Sequence, residues 1–167
     1  DPLKFDQIKE SIEKYFSVIW LRFFKLQIPF LIRHRDLFRD LETWNVWGVV
    51  AMHHQAALVK MRKKSIIQHD INPTMYYKHV LEFKPSHGIN ASSIADITNI
   101  PRATIIRKLK WLIKNGLIKK TKIAEYFISN KGKKNKIIQE NMTLNQSLVV
   151  EFLTDVLDIM KNSELKI

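Results

Sequence analysis

Arg102, Arg107, Lys108, Lys110 and Lys114 fall within residues 102–114, a stretch that contains no acid. Cations at that density suit a polyanion, and duplex DNA is the polyanion whose major groove admits a helix. Ile105, Leu109 and Leu112 recur among them at spacings of four and three, which predicts a helix with one apolar stripe. The other face then offers Arg102, Ala103, Thr104, Ile106, Arg107 and Lys110. Arg102 and Arg107 can each donate two hydrogen bonds to guanine, Ala103 or Ile106 can meet a thymine methyl, and Thr104 can bond a base or a phosphate. Ser92, Ser93 and Lys108 are expected on the phosphate backbone, which positions a protein without reading sequence. Lys119, Lys120 and Lys122 are expected to reach adjacent phosphates. Plainer roles stand beside these. Thr104 can serve local backbone donors, Ile106 can pack against the following strands, and Arg107 suits phosphate better than base. Trp111, past the helix midpoint, is expected to pack.

The elements that position these residues are legible around them. Asn90 is expected to cap a short helix whose Ile94 and Ile97 face inward, with the small Ala95 admitting a close neighbour. Asn99 sits where the turn needs a left-handed residue, and Asn tolerates that conformation. Pro101 suits the start of the next helix, which runs to about Asn115 and ends at Gly116. Leu117–Ile123 and Ala124–Ser129 are expected to pair as a β-hairpin.

Thr104-Ile105-Ile106-Arg107-Lys108-Leu109-Lys110-Trp111-Leu112, followed by Asn115-Gly116-Leu117-Ile118, resembles the recurrent pattern of winged helix-turn-helix regulators of the MarR and IclR kind. Ser129-Asn130-Lys131-Gly132 resembles the junction that follows the wing in MarR-type proteins. The resemblance covers about residues 73–135. It departs at the turn, where Asn99 replaces the usual Gly, and at a short wing with no Gly at its tip. The fold it implies is mainly α: a winged helix-turn-helix domain with a small β-hairpin wing, plus additional N- and C-terminal helices. The function it implies is a transcriptional regulator that binds double-stranded DNA as a homodimer. N-terminal helices and the acidic C-terminal helix would then hold two recognition helices ~34 Å apart, one turn of DNA.

Charge and periodicity divide the rest of the chain. Residues 85–140 carry 12 Lys/Arg against 3 Asp/Glu, residues 1–84 carry 14 against 9, and the tail from 141 carries 2 against 4. A first helix is expected from Leu3 to Leu26, with Pro29 interrupting or restarting it before a segment reaching Leu41. A third, capped by Thr43, is expected over the nearly uncharged run from Trp44 to Met61. Asn72-Pro73 is the expected boundary, followed by a helix from Thr74 to Phe83. A last helical stretch runs from Lys133 to Lys161, continuous or restarted at Thr143. The expected domains are therefore 1–72, for dimerisation or sensing, 73–135, for DNA binding, and 136–167, for dimerisation.

Other chemistries find little support. With no cysteine, disulfides and thiolate metal sites are excluded. His53 and His54 are adjacent, point about 100° apart on a helix and lack ligand spacing, so a core or interface role is expected and no metal or cofactor. No phosphate loop or nucleophile elbow occurs, so no enzymatic activity is expected. Residues 44–59 are too short to span a bilayer and residues 15–32 contain Arg22 and Lys25, so no membrane partner and a cytoplasmic location are expected. The opening Asp-Pro does not resemble a signal peptide, and the lack of an initiator Met leads to the expectation that a segment ahead of residue 1 has been lost. The abundance of Ile, Lys and Asn fits a low-GC bacterial genome. Trp20, Phe24, Trp44 and Trp47 could enclose a small apolar ligand, although core packing explains them equally. The alternative to DNA reading is a winged-helix protein-interaction module. A third reading is peripheral membrane association through residues 15–39.

Overall fold

The computed structural model describes residues 5–62, 83–129 and 131–164. They are mainly helical, with a small three-stranded antiparallel sheet. Two compact units are present, one of His34–Glu140 and one of Asp1–Arg33 with Asn141–Ile167. The boundary expected at residues 72 and 73, and the helix expected from Thr74, lie outside the described residues.

In the unit of residues 1–33 and 141–167, α1 (Phe5–Lys14) meets α2 (Phe16–Phe38) at 96°. The break expected at Pro29 occurs instead at Tyr15, and α2 runs through Pro29. A proline inside a helix forfeits one backbone hydrogen bond, here the one to the carbonyl of Lys25, on a turn where Lys25 is open to water. Helix α6 (Lys134–Glu164) is continuous through Thr143. Its residues from 141 lie antiparallel to α2, joined by Arg22–Asp155 at 3.1 Å, Phe23 against Phe152, and Arg33 donating to Asn145 Oδ1 at 2.8 Å. Among the described residues no single helix is long and apolar enough to cross a membrane. Helices α1 and α2 pass that test only together, across their bend.

In the unit of residues 34–140, α2 ends at Phe38, Arg39 takes a left-handed φ of 74°, and α3 (Leu41–Arg62) begins. The cap of α3 is Asp40, whose carboxylate accepts from the Thr43 N–H at 2.6 Å, and not Thr43 as expected. Strand β1 (Ile89–Asn90) leads into α4 (Ala91–Thr98) and α5 (Arg102–Lys114), then β2 (Ile118–Lys120) and β3 (Glu125–Ile128). The strand order is β1-β3-β2, with Ile89 opposite Tyr126 and Ile118 opposite Ile128.

One core joins these elements. Phe38, Val46 and Val50 pack with Ile94, Ile105, Leu109, Leu112, Leu117 and Ile118, all essentially without solvent contact. The stripe expected on α5 is therefore its buried face. Ile97 is not part of the core and is 56% exposed, which corrects the inward orientation expected for it. The buried side of α4 follows Ala91, Ile94, Ala95 and Thr98, the helical period, and Ile97 lies one position off that line.

Candidate nucleic-acid interface

Local chemistry fixes the frame of α4 and α5. Asn90 accepts from the Ser93 N–H at 2.9 Å, satisfying one of the free donors at the start of α4. Asn99 ends that helix in the left-handed region, with φ 54° and ψ 27°. Pro101, with φ −53°, then starts α5. At the other end the Leu117 N–H donates to Leu112 O at 3.0 Å and Gly116 N–H to Ile113 O at 2.9 Å. These two bonds form a Schellman stop, with Gly116 at φ 67°. The Gly132 N–H donates to Gly116 O at 3.1 Å, so the chain returns against the end of α5 at a point where neither residue carries a Cβ.

The outer face of α5 follows from that anchoring. Ala103, Arg107, Lys110 and Lys114 are exposed and recur at spacings of four and three, on the side opposite Ile105, Leu109 and Leu112. Arg102 is also exposed, and its Nε donates to Ser92 Oγ at 3.2 Å, so two of the expected contacts already touch. Ser92 is exposed; Ser93, Thr104 and Ile106 are half-buried, with Ile106 packed against the core. Trp111 packs against the core as expected, and the Lys134 ammonium lies 4.8 Å from its ring centre.

Lys108 takes the opposite course. Its side chain is 9% exposed, and Nζ lies 2.8 Å from Asp40 Oδ1, 3.1 Å from Glu42 Oε2 and 3.3 Å from Thr43 Oγ1. The phosphate contact expected of it is corrected: three oxygens at the start of α3 hold the ammonium on the inner side of α5. Burial works to raise the Asp40 carboxyl pKa. The Lys108 hydrogen bond, followed by the bonds from Thr43, outweighs it and holds that carboxyl below its ordinary value. Lys114 is the residue that sequence reasoning omitted from the face, although its spacing from Lys110 places it there.

Past α5 the hairpin is short. Lys119 and Lys120 on β2 are exposed, with their ammoniums 5.9 Å from the Phe127 and Tyr126 ring centres. Lys122 is exposed in the turn. That turn is closed by Ala124 N–H to Thr121 O at 3.1 Å and Thr121 N–H to Glu125 O at 2.9 Å. With no glycine available, Ala124 itself takes the left-handed φ of 60°. Glu125 accepts from the Gly88 N–H at 3.0 Å.

Net charge sharpens the picture. Residues 34–140 hold 20 Lys/Arg against 8 Asp/Glu, while the other unit holds 8 against 8, so the whole excess of +12 belongs to the unit that carries α5.

The aromatic residues considered for an apolar ligand separate. Trp44 and Trp47 pack against the core of residues 34–140, next to His34 and Phe38, while Trp20 and Phe24 belong to the other unit. An open groove of about 400 Å³ lies beside Trp44, Gly48, Met52 and Ile97. His54 is buried and meets the Phe83 ring edge-on. Among the described residues, no three His, Asp or Glu side chains gather to hold a metal ion. No known protein family, no curated protein and no solved structure matches the chain.

Proposed function

We propose that residues 89–128 act as a winged helix-turn-helix and that the protein is a sequence-specific, duplex-DNA-binding transcriptional regulator that works as a homodimer. Helix α5 enters the major groove with Ala103, Arg107, Lys110 and Lys114 outward, and Arg102 at its amino end reads a base or a phosphate. Lys119, Lys120 and Lys122 meet the flanking phosphates. The observation that carries this reading is the division of α5 into a buried stripe, whose one charge, Lys108, is neutralised by Asp40 and Glu42, and an acid-free cationic outer stripe, followed at once by a lysine-bearing hairpin. A merely solvated helix face has no such need for one sign of charge.

The test is a duplex-DNA titration at several salt concentrations beside the double variant Arg102→Ala/Arg107→Ala. Affinity that falls steeply with salt, and more weakly in the variant, supports the reading through counterion release. No binding at low salt overturns it and turns this surface toward a protein partner.

A further inference from the structure

The unit made of residues 1–33 and 141–167 leaves too much apolar surface in water for its size. Seven large apolar side chains of α2 and six of α6 beyond residue 140 are more than a third exposed. At about 75 Å² each, half the low end of what an aromatic side chain can bury, they amount to roughly 1,000 Å² per copy, summed over every side of the pair. Single apolar patches on monomers usually stay below about 600 Å², and stable protein interfaces bury about 800 Å² from each partner.

These side chains are ordered along the helices. The contacts Arg22–Asp155, Phe23–Phe152 and Arg33–Asn145 show that α2 and α6 run antiparallel, with residue n on α2 level with about residue 177 − n on α6. At 100° per residue, Phe16, Trp20 and Phe24 turn to the same side of the pair as Val149, Leu153 and Leu157. The levels coincide: Trp20 with Leu157 and Phe24 with Leu153. The aromatic row is pre-ordered, since Phe16 stacks on Trp20 at 5.2 Å and Trp20 meets Phe24 edge-on at 6.1 Å.

We infer that this helix pair is half of a four-helix bundle, completed by the same pair from a second copy of the chain, with α2 of one copy packed on α6 of the other. The inference gives the homodimer proposed above its surface, and its test is independent of DNA. A twofold axis along the bundle keeps every residue at its own level, so the apolar layers that match within one copy also match across the two. Charge selects this arrangement over one that sets α2 beside α2. Residues 16–33 carry three cations and no acid, whereas residues 141–164 carry four acids and one cation. Alternating α2 and α6 around the bundle gives each helix neighbours of opposite sign, and the unit as a whole has no net charge to repel a copy.

The test uses the full chain in sedimentation velocity at micromolar concentration. The expected mass is about twice 19.8 kDa, and Leu153→Glu, an exposed position, is expected to return it to 19.8 kDa with its circular dichroism unchanged. Because the chain has no cysteine, the double variant Trp20→Cys/Leu157→Cys, on the facing rows and at one level, reports the pairing directly. On mild oxidation it is expected to form covalent dimers, which neither single variant forms. A wild-type monomer at tens of micromolar overturns the inference, as does a Leu153→Glu dimer. A monomer that binds anionic lipid vesicles overturns it in favour of a membrane surface. Cross-linking by either single variant overturns the α2-to-α6 pairing. A dimer that ignores DNA supports the bundle while refuting the regulator, so the two proposals fail separately.

Discussion

Replacing Lys108 by Met removes the ammonium and keeps most of the side-chain stem, so it isolates the charge network at the start of α3. The ammonium is 2.8 Å from Asp40 and 3.1 Å from Glu42, and the lysine is 9% exposed. Breaking a fully buried ion pair costs about 3–5 kcal/mol, and an exposed one about 0–1 kcal/mol. The acids here are 42% and 59% exposed, so water takes up their charge when the lysine is gone, and the cost falls toward the lower range. Adding the partner lost by the buried Thr43 hydroxyl gives about 1–2 kcal/mol at pH 7, a melting temperature lower by about 2–8 °C for a chain of this size. The sign with pH follows from Asp40. Its folded-state pKa is depressed, so the stabilisation is full above the unfolded value of about 3.9 and is lost as pH falls through the folded value. Thermal unfolding followed by circular dichroism at pH 7 and at pH 2.5, at constant ionic strength, should therefore show a gap between wild type and variant that narrows in acid. A gap equally wide at both pH values would assign the effect to packing and refute the electrostatic account.

Three further outcomes follow from the same geometry. Lys114→Ala should reduce the slope of log affinity for duplex DNA against log salt by about 1, while Lys108→Met leaves the slope unchanged, because only the first lysine faces outward. Gly132→Ala should cost at least about 2 kcal/mol in urea unfolding, since its Cβ would run into the backbone carbonyl of Asn115, which closes the end of α5. Ala124→Gly should stabilise by about 0.5–1 kcal/mol, because an alanine at φ 60° pays a steric penalty that glycine does not.

Much of α4, α5 and the hairpin was legible because local chemistry specifies them. The Asn90 cap, the left-handed Asn99, Pro101 at a helix start and Gly116 at a helix end each act within a few residues, and the structure has all four. The first helices were less legible. Proline is a strong breaker in an isolated helix, but α2 continues through Pro29, and nothing in the sequence marks the 96° bend at Tyr15. The pairing of α2 with α6 joins residues more than a hundred positions apart, as Arg33 and Asn145 show, and no local signal could have revealed it.

Lys108 and Ile97 were misplaced for a common reason, and it bears on how the outer face of α5 should be read. Residue type sent the lysine outward and the isoleucine inward. Helical phase says otherwise: Ile105, Lys108, Leu109 and Leu112 are one buried stripe at spacings of three, one and three, and Thr98, not Ile97, continues the line from Ala91 and Ile94. A helix docked through three aliphatic side chains has no freedom to rotate one member of the stripe into solvent, so a lysine at that phase must find its counter-charges inside. Asp40 and Glu42 supply them because the first turn of α3 already favours acids at its positive end. The same phase then leaves Arg107, Lys110 and Lys114 no inward alternative, and the outward stripe of cations on α5 is the geometric consequence of the core that buries its other side.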